Sequence, residues 1–305
     1  MIDSRDTILR HAAFNWLHEQ VSMHGDVLPR SLLTEGFYHN GERITLLGPQ
    51  GIWKPRAFEI PLTITTVITG PYRDSFSSDG YLLYKYRGTD PGHRDNVGLR
   101  TAMQKQIPLI YFNNVVKGRY HAIWPVFIVG DNPDELTFTV AADDEKYLFI
   151  EHAGTYASVA DSSEQLIRRS YITTEVRQRL HQRSFRERVL NAYNDQCALC
   201  RLRHRELLEA AHIIPDSDPE GEPVISNGLS LCKLHHAAFD KNIIGITPDY
   251  TVQVRADVLE EEDGPMLRHG LQGMHGTRII LPGHRDERPD REFLARRYEI
   301  FRKVV

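Results

Sequence analysis

All three cysteines of this chain fall in one stretch, in a metal-site pattern: Cys197-Ala-Leu-Cys200, then Cys232-Lys-Leu-His235-His236. Four deprotonatable sulfur and nitrogen donors are what a tetrahedral structural zinc takes. His235 and His236 could exchange roles, but the two-residue gap from Cys232 to His235 repeats the gap of the first knuckle and favours His235 as the fourth ligand. So small a metal-held unit has little core of its own, so removal of the ion is expected to unfold it. Left over are His212 in Ala211-His212-Ile213, Asn227 in Asn227-Gly228-Leu229, and His236. These are available for chemistry.

The rest of the chain is that of an ordinary globular protein, and 305 residues accommodate two domains. No run approaches the roughly 20 apolar residues of a membrane span. The N-terminus, Met1-Ile2-Asp3-Ser4-Arg5-Asp6, lacks the layout of a signal peptide, so a cytoplasmic protein with no membrane partner is expected. Thiols committed to a metal argue against a disulfide framework. The formal net charge of -4 speaks weakly against a nucleic-acid partner, but its distribution reverses that impression. From Gln165 to Arg205 ten arginines face three acids, Glu175, Glu187 and Asp195. A local cationic excess matters more than the total when the partner is a polyanion.

Residues 5–23 read as an amphipathic helix that stops near Gly25. From Ile44 to about Ala142 the texture changes to short β-rich runs: Leu62–Ile68, Tyr81–Tyr86, Leu109–Phe112, Tyr120–Val129 and Leu136–Val140. One helical insert is expected at Asn96–Gln104. Such spacing suits a small β-barrel or curved sheet. The expected division is a domain over 1–150, a small-residue linker over 151–165, and a second domain over 166–305. The second domain opens with an Arg-rich helix from Ile167 to Tyr193 and ends in a helix, Arg291 to Val304.

The wording Leu207-Leu208-Glu209-Ala210-Ala211-His212-Ile213-Ile214-Pro215, then Asn227-Gly228-Leu229-Ser230-Leu231-Cys232, His235-His236 and Phe239-Asp240, resembles the HNH endonucleases of the ββα-metal type. The resemblance runs from about Phe185 to Gly245. It implies that His212 is the general base, that Asn227 holds the loop or the base, and that His236 binds a catalytic Mg²⁺ or Mn²⁺, beside a structural Zn²⁺ on Cys197, Cys200, Cys232 and His235. Imidazole titrates near neutrality, which suits it to take a proton from attacking water. Many members of the family place Asp before the base as a second metal ligand, and here that position is Ala211. Glu209, two residues back on the strand, and Asp240, four residues after His236 on the helix, are the candidates for that role. The plainer alternatives are a solvated strand charge for Glu209 and a helix-end role for Asp240.

In the first domain Gly70-Pro71-Tyr72-Arg73-Asp74, Tyr84-Lys85-Tyr86-Arg87-Gly88, His93-Arg94-Asp95-Asn96 and Ile107-Pro108-Leu109 occur in that order. This is similar to an SRA (YDG) domain, a reader that flips a modified cytosine out of the duplex. By that resemblance Tyr72, Tyr84 and Tyr86 sandwich the base, Asp74 accepts from its amino group, and Arg73, Arg87 and Arg94 meet phosphates. Arg183 and Arg186 of the Arg-rich helix are assigned to DNA as well. The expected fold is α+β: an SRA/PUA-like β-barrel with flanking helices, then a zinc-containing ββα-metal nuclease domain. The layout resembles McrA-like modification-dependent restriction endonucleases, which implies cleavage of double-stranded DNA carrying 5-methylcytosine or 5-hydroxymethylcytosine and a role in phage defence. A homodimer would supply two sites for a double-strand break. Two other readings stay open: a modified-DNA-binding protein with a weak or inactive nuclease fold, and an HNH nuclease sensing another modification.

Overall fold

Alternation along the strands decides how the first half of the chain is built. The structure, a computed structural model, describes residues 4–66, 75–77, 81–143 and 163–304. It divides into two compact units, Met1–Leu180 and His181–Val305.

In the first unit helix α1 (Ser4–His24) leads to β1 (Val27–Pro29), α2 (Arg30–Glu35) and the hairpin β2 (Phe37–His39) and β3 (Glu42–Ile44). Then come β4 (Ile52–Trp53), β5 (Thr63–Thr66), β6 (Ser75–Phe76), β7 (Leu82–Lys85), α3 (Arg94–Gln104), β8 (Leu109–Val116), β9 (Arg119–Asn132) and β10 (Thr137–Ala142). The main sheet runs β4-β5-β8-β9-β10-β7-β6, with β1 also paired to β9. Its neighbours are antiparallel except β5 and β8. Among the described residues β4 and β6 are paired on one side only, so the sheet is a curled half-barrel with two edges rather than a closed barrel.

The period of two sends neighbouring residues to opposite faces. Ile110, Phe112, Tyr120 and Ala122 pack with Leu9, Ala13, Phe14 and Leu17 of α1. Leu109, Tyr111 and Ile123 pack with Leu99 and Ala102 of α3. Buried Arg10 fastens α1: it pairs with Asp6 at 2.9 Å and donates to the carbonyls of Pro61 and Pro108.

The second unit takes its first element from the C-terminal part of α4 (Ser163–Ala192). It continues with β11 (Leu208–His212), β12 (Gly228–Cys232), α5 (Lys233–Asp240), the hairpin β13 (Ile244–Ile246) and β14 (Val252–Val254), α6 (Ala256–Glu260), α7 (Pro265–Gly270) and α8 (Arg291–Arg302). Antiparallel β11 and β12 followed by α5 form the ββα unit. Its core is larger than the motif. Phe185 and Val189 of α4, with Tyr193 just after it, meet Leu208, Leu229, Leu231 and Phe239, together with Ile244, Val252 and Leu294. The site is therefore set into a domain core and would not depend on a bound metal ion alone for enclosure.

Candidate active site and metal cluster

Helix α5 starts directly after Cys232, so Cys232 and His235 share its first turn while His236 lies about 100° further round. His235 is buried against the first knuckle, and His236 faces β11. The donor atoms of Cys197, Cys200, Cys232 and His235 all lie within 4.8 Å of one another. Cys200 Sγ is 3.9 Å from Cys232 Sγ, and His235 Nδ1 is 3.5 Å from Cys197 Sγ and 3.2 Å from Cys232 Sγ. Zinc bonds of about 2.3 Å to sulfur and about 2.0 Å to nitrogen give tetrahedral edges of about 3.5–3.8 Å, so the donor set fits such an ion. His235 Nε2 donates to Gly270 O at 2.7 Å, which turns Nδ1 toward the cluster. Without an ion, burial works to lower His235, but its bonds to Cys197 and Cys232 and their charge outweigh burial and raise it to about 10. Metal binding displaces that proton.

His212 closes β11, opposite Gly228. Its ring stacks on Phe185 of α4 at 4.0 Å and 15° between planes. Nε2 is enclosed and has no hydrogen-bond partner among the described residues. Burial holds the imidazole below the ordinary histidine range; Asp216 and Asp240 oppose that shift and His236 adds to it. Burial thus favours the neutral ring, the form able to accept a proton.

Asn227 is fully buried and serves the loop that leaves His212. Its Oδ1 accepts from Ile214 N at 2.8 Å, and Nδ2 donates to Ile214 O and Glu222 O, each at 3.0 Å. Of the two roles expected for it, holding the loop is the one this geometry describes. Glu209 and Asp240 both reach His236: Glu209 Oε2 lies 2.7 Å from Nδ1, and Asp240 Oδ2 lies 3.4 Å from Nε2. Ala211 packs into the core with no exposed surface.

Several other residues are placed differently from expectation. Tyr84 and Tyr86 share a face, but that face is the core. Tyr86 stacks on Phe138 at 4.5 Å and bonds Asp131 and Arg100, while Tyr84 donates to Thr65 O. Neither presents a free ring to a flipped base. Tyr72, Arg73 and Asp74 lie outside the described residues. Arg87 pairs with Asp95 and bonds Gln50, and Arg94, 79% exposed, also pairs with Asp95 at 3.4 Å. On α4, Arg186 is a brace rather than an outward-facing cation. It pairs with Glu187 at 2.9 Å and donates to the carbonyls of Arg205 and Leu208. Arg183 is exposed.

Sequence reasoning missed two residues of the site. Phe185 showed only as an apolar helix position. Arg297, which donates to Phe239 O and Asn242 Oδ1 at 2.6 Å each and holds the end of α5, drew no reading from the sequence.

Residues 197–247 match the family model described as HNH endonuclease. They form an HNH endonuclease domain. The match spans the zinc-type cluster, His212, Asn227 and His236, so the HNH domain holds both the candidate ligands and the candidate catalytic groups. A solved structure titled "Modification dependent TagI restriction endonuclease" is 16% identical, with 79% of this chain and 81% of that chain covered and a TM-score of 0.29, too low to bear on fold or function. No curated protein matches the chain at a significant level.

Proposed function

We propose that the chain is a metal-dependent endodeoxyribonuclease that cuts DNA carrying 5-methylcytosine or 5-hydroxymethylcytosine, with its HNH domain as the cutting module. The observation that carries the nuclease reading is His212: an imidazole that burial favours in its neutral form, stacked on Phe185, with an enclosed nitrogen that has no partner among the described residues, in the field of His236 and Asp240. A neutral imidazole has a lone pair that can take a proton from attacking water. Asn227 keeps the strand-to-loop exit in place, so the base is not carried off by the loop that follows. A Mg²⁺ or Mn²⁺ ion would neutralise charge on the scissile phosphate and the departing 3′-oxygen. His236, with a neighbouring carboxylate, would hold it.

The modified-base reading rests on the order of the four motifs in the first 110 residues, and it takes Tyr72 and Asp74 as the pocket residues now that Tyr84 and Tyr86 serve the core. A second reading, a modified-DNA-binding protein with a silent nuclease site, is favoured by Ala211, which leaves no carboxylate at the position before the base. Purified protein incubated in Mg²⁺ or Mn²⁺ with 5-methylcytosine, 5-hydroxymethylcytosine and unmodified plasmids separates them. The expected result is cutting of the modified plasmids, abolished in His212→Ala with binding retained. Equal cutting of all plasmids would remove modification dependence, and binding without cutting by the unaltered protein would establish the second reading.

A further inference from the structure

At His236 two carboxylates stand on opposite edges of one imidazole. A metal ion binds an imidazole through the lone pair of one nitrogen, so it can sit beside Glu209 at Nδ1 or beside Asp240 at Nε2, but not both. The distances distinguish these positions. Glu209 Oε2 at 2.7 Å from Nδ1 is at the length of a charge-assisted N–H···O bond, which puts the ring proton on Nδ1 and leaves the lone pair on Nε2. Asp240 Oδ2 at 3.4 Å from Nε2 is long for a hydrogen bond. It is close to the separation of about 3 Å between neighbouring ligands on an octahedral ion with bonds of about 2.1 Å.

The surroundings agree. His236 and Asp240 are four residues apart on α5 and share a face, so one short helix sets their separation. The end of that helix is fixed by Arg297, which bonds the Phe239 carbonyl and lies over the Phe239 ring at 4.8 Å. The Asp240 side chain is 55% exposed, which leaves room for the waters that Mg²⁺ and Mn²⁺ retain. Glu209 comes from the strand and makes the bond that orients a ligating histidine in many metal sites.

We infer that the two acids divide the work: Asp240 joins His236 Nε2 as a ligand of the catalytic ion, and Glu209 is a positioning residue that fixes the His236 tautomer through Nδ1. This rests on the nuclease reading above. It also moves the carboxylate missing at Ala211 from the strand to the helix.

The test exploits what glutamine can and cannot replace. Its amide oxygen still accepts from Nδ1–H, but it is a poor substitute for a carboxylate ligand. Mn²⁺ binding to the full-length, zinc-loaded chain is followed through the free-ion electron paramagnetic resonance signal. Asp240→Asn is expected to weaken Mn²⁺ more than about 100-fold, Glu209→Ala by about 10- to 100-fold, and Glu209→Gln by less than about 10-fold. In the metal-free state, ¹⁵N spectra of His236 are expected to show the Nδ1–H tautomer in the unaltered chain and in Glu209→Gln, and its loss in Glu209→Ala. Glu209→Gln losing Mn²⁺ as completely as Asp240→Asn, or Asp240→Asn binding normally, would overturn the division. Absence of any Mn²⁺ site sensitive to His236→Ala would instead overturn the metal-dependent reading itself. Unchanged zinc content and circular dichroism keep misfolding apart from either outcome.

Discussion

Phe185 and His212 lie ring on ring, and that contact ties the protonation of the base to a residue of another element. Because burial lowers His212, its neutral, working form persists to a lower pH than an ordinary histidine allows. The sign is direct: as pH falls, cleavage declines only once the lowered value is crossed, so the acid limb of the rate profile lies below the usual histidine midpoint. Phe185→Leu thins the cover over the ring and should move that limb upward, as a single-turnover pH series would show. A limb that stays in place would separate Phe185 from the base. Asn227 allows a stability prediction at the same scale. Asn227→Ala strands two buried backbone partners, Ile214 N and Ile214 O, and a part-buried one, Glu222 O, and is expected to cost about 2–3 kcal/mol in urea unfolding. A cost within experimental error would mean that the loop finds other partners.

At the scale of elements, the zinc-type cluster joins the knuckle, the start of α5 and, through Gly270, the end of α7. Sequence spacing alone predicts collapse of a small unit when the ion leaves. The structure adds a core from α4, β13, β14 and α8 that the motif does not contain, so the predicted loss is partial. Chelation should lower the melting temperature of the second unit by at least about 10 °C while leaving residual helix, read by circular dichroism. Elemental analysis should give one zinc per chain, lost in Cys200→Ser and kept in His236→Ala; the reverse would reassign the ligands. The cluster was legible because metal ligands recur at fixed spacings. The strands from β7 to β10 were legible as β-rich runs bounded by Gly, Pro, Asp and Asn. By contrast, β1, α2, β2 and β3 are three to six residues long, too short for either period to show. The long runs around β9 were seen but drawn short, since Arg119 and Asp131 extend the strand through ladder bonds that carry no apolar signal. The two roles at His236 were not legible at all: sequence put Glu209 and Asp240 near the same histidine but could not say at which nitrogen.

For the whole molecule, charge is the quantity that sequence and structure weigh differently. The arginine excess between Gln165 and Arg205 suggests a track for the phosphate backbone, but much of it is turned inward. Arg168 and Arg169 both pair with Asp143 at 2.9 Å, Arg188 donates to Pro223 O, and Arg205 pairs with Glu187 and Asp195. A guanidinium already satisfied by carboxylates and carbonyls releases few counterions on meeting DNA. The salt dependence of binding should therefore correspond to fewer phosphate contacts than the seven-charge excess counted from sequence. Arg94, at the start of α3, pairs with Asp95 at 3.4 Å but keeps 79% of its side chain exposed, so it still offers a phosphate test. Arg94→Ala is expected to weaken modified and unmodified duplexes alike and to reduce the salt slope by about 1. Asp74→Ala should behave oppositely, leaving the slope unchanged while erasing the preference for 5-methylcytosine, because an acceptor for the base edge carries discrimination and a phosphate contact carries none. Fluorescence anisotropy over a salt series with matched modified and unmodified duplexes measures both quantities together. A preference that survives Asp74→Ala but falls with Arg94→Ala would shift recognition from a flipped base to the shape of the duplex.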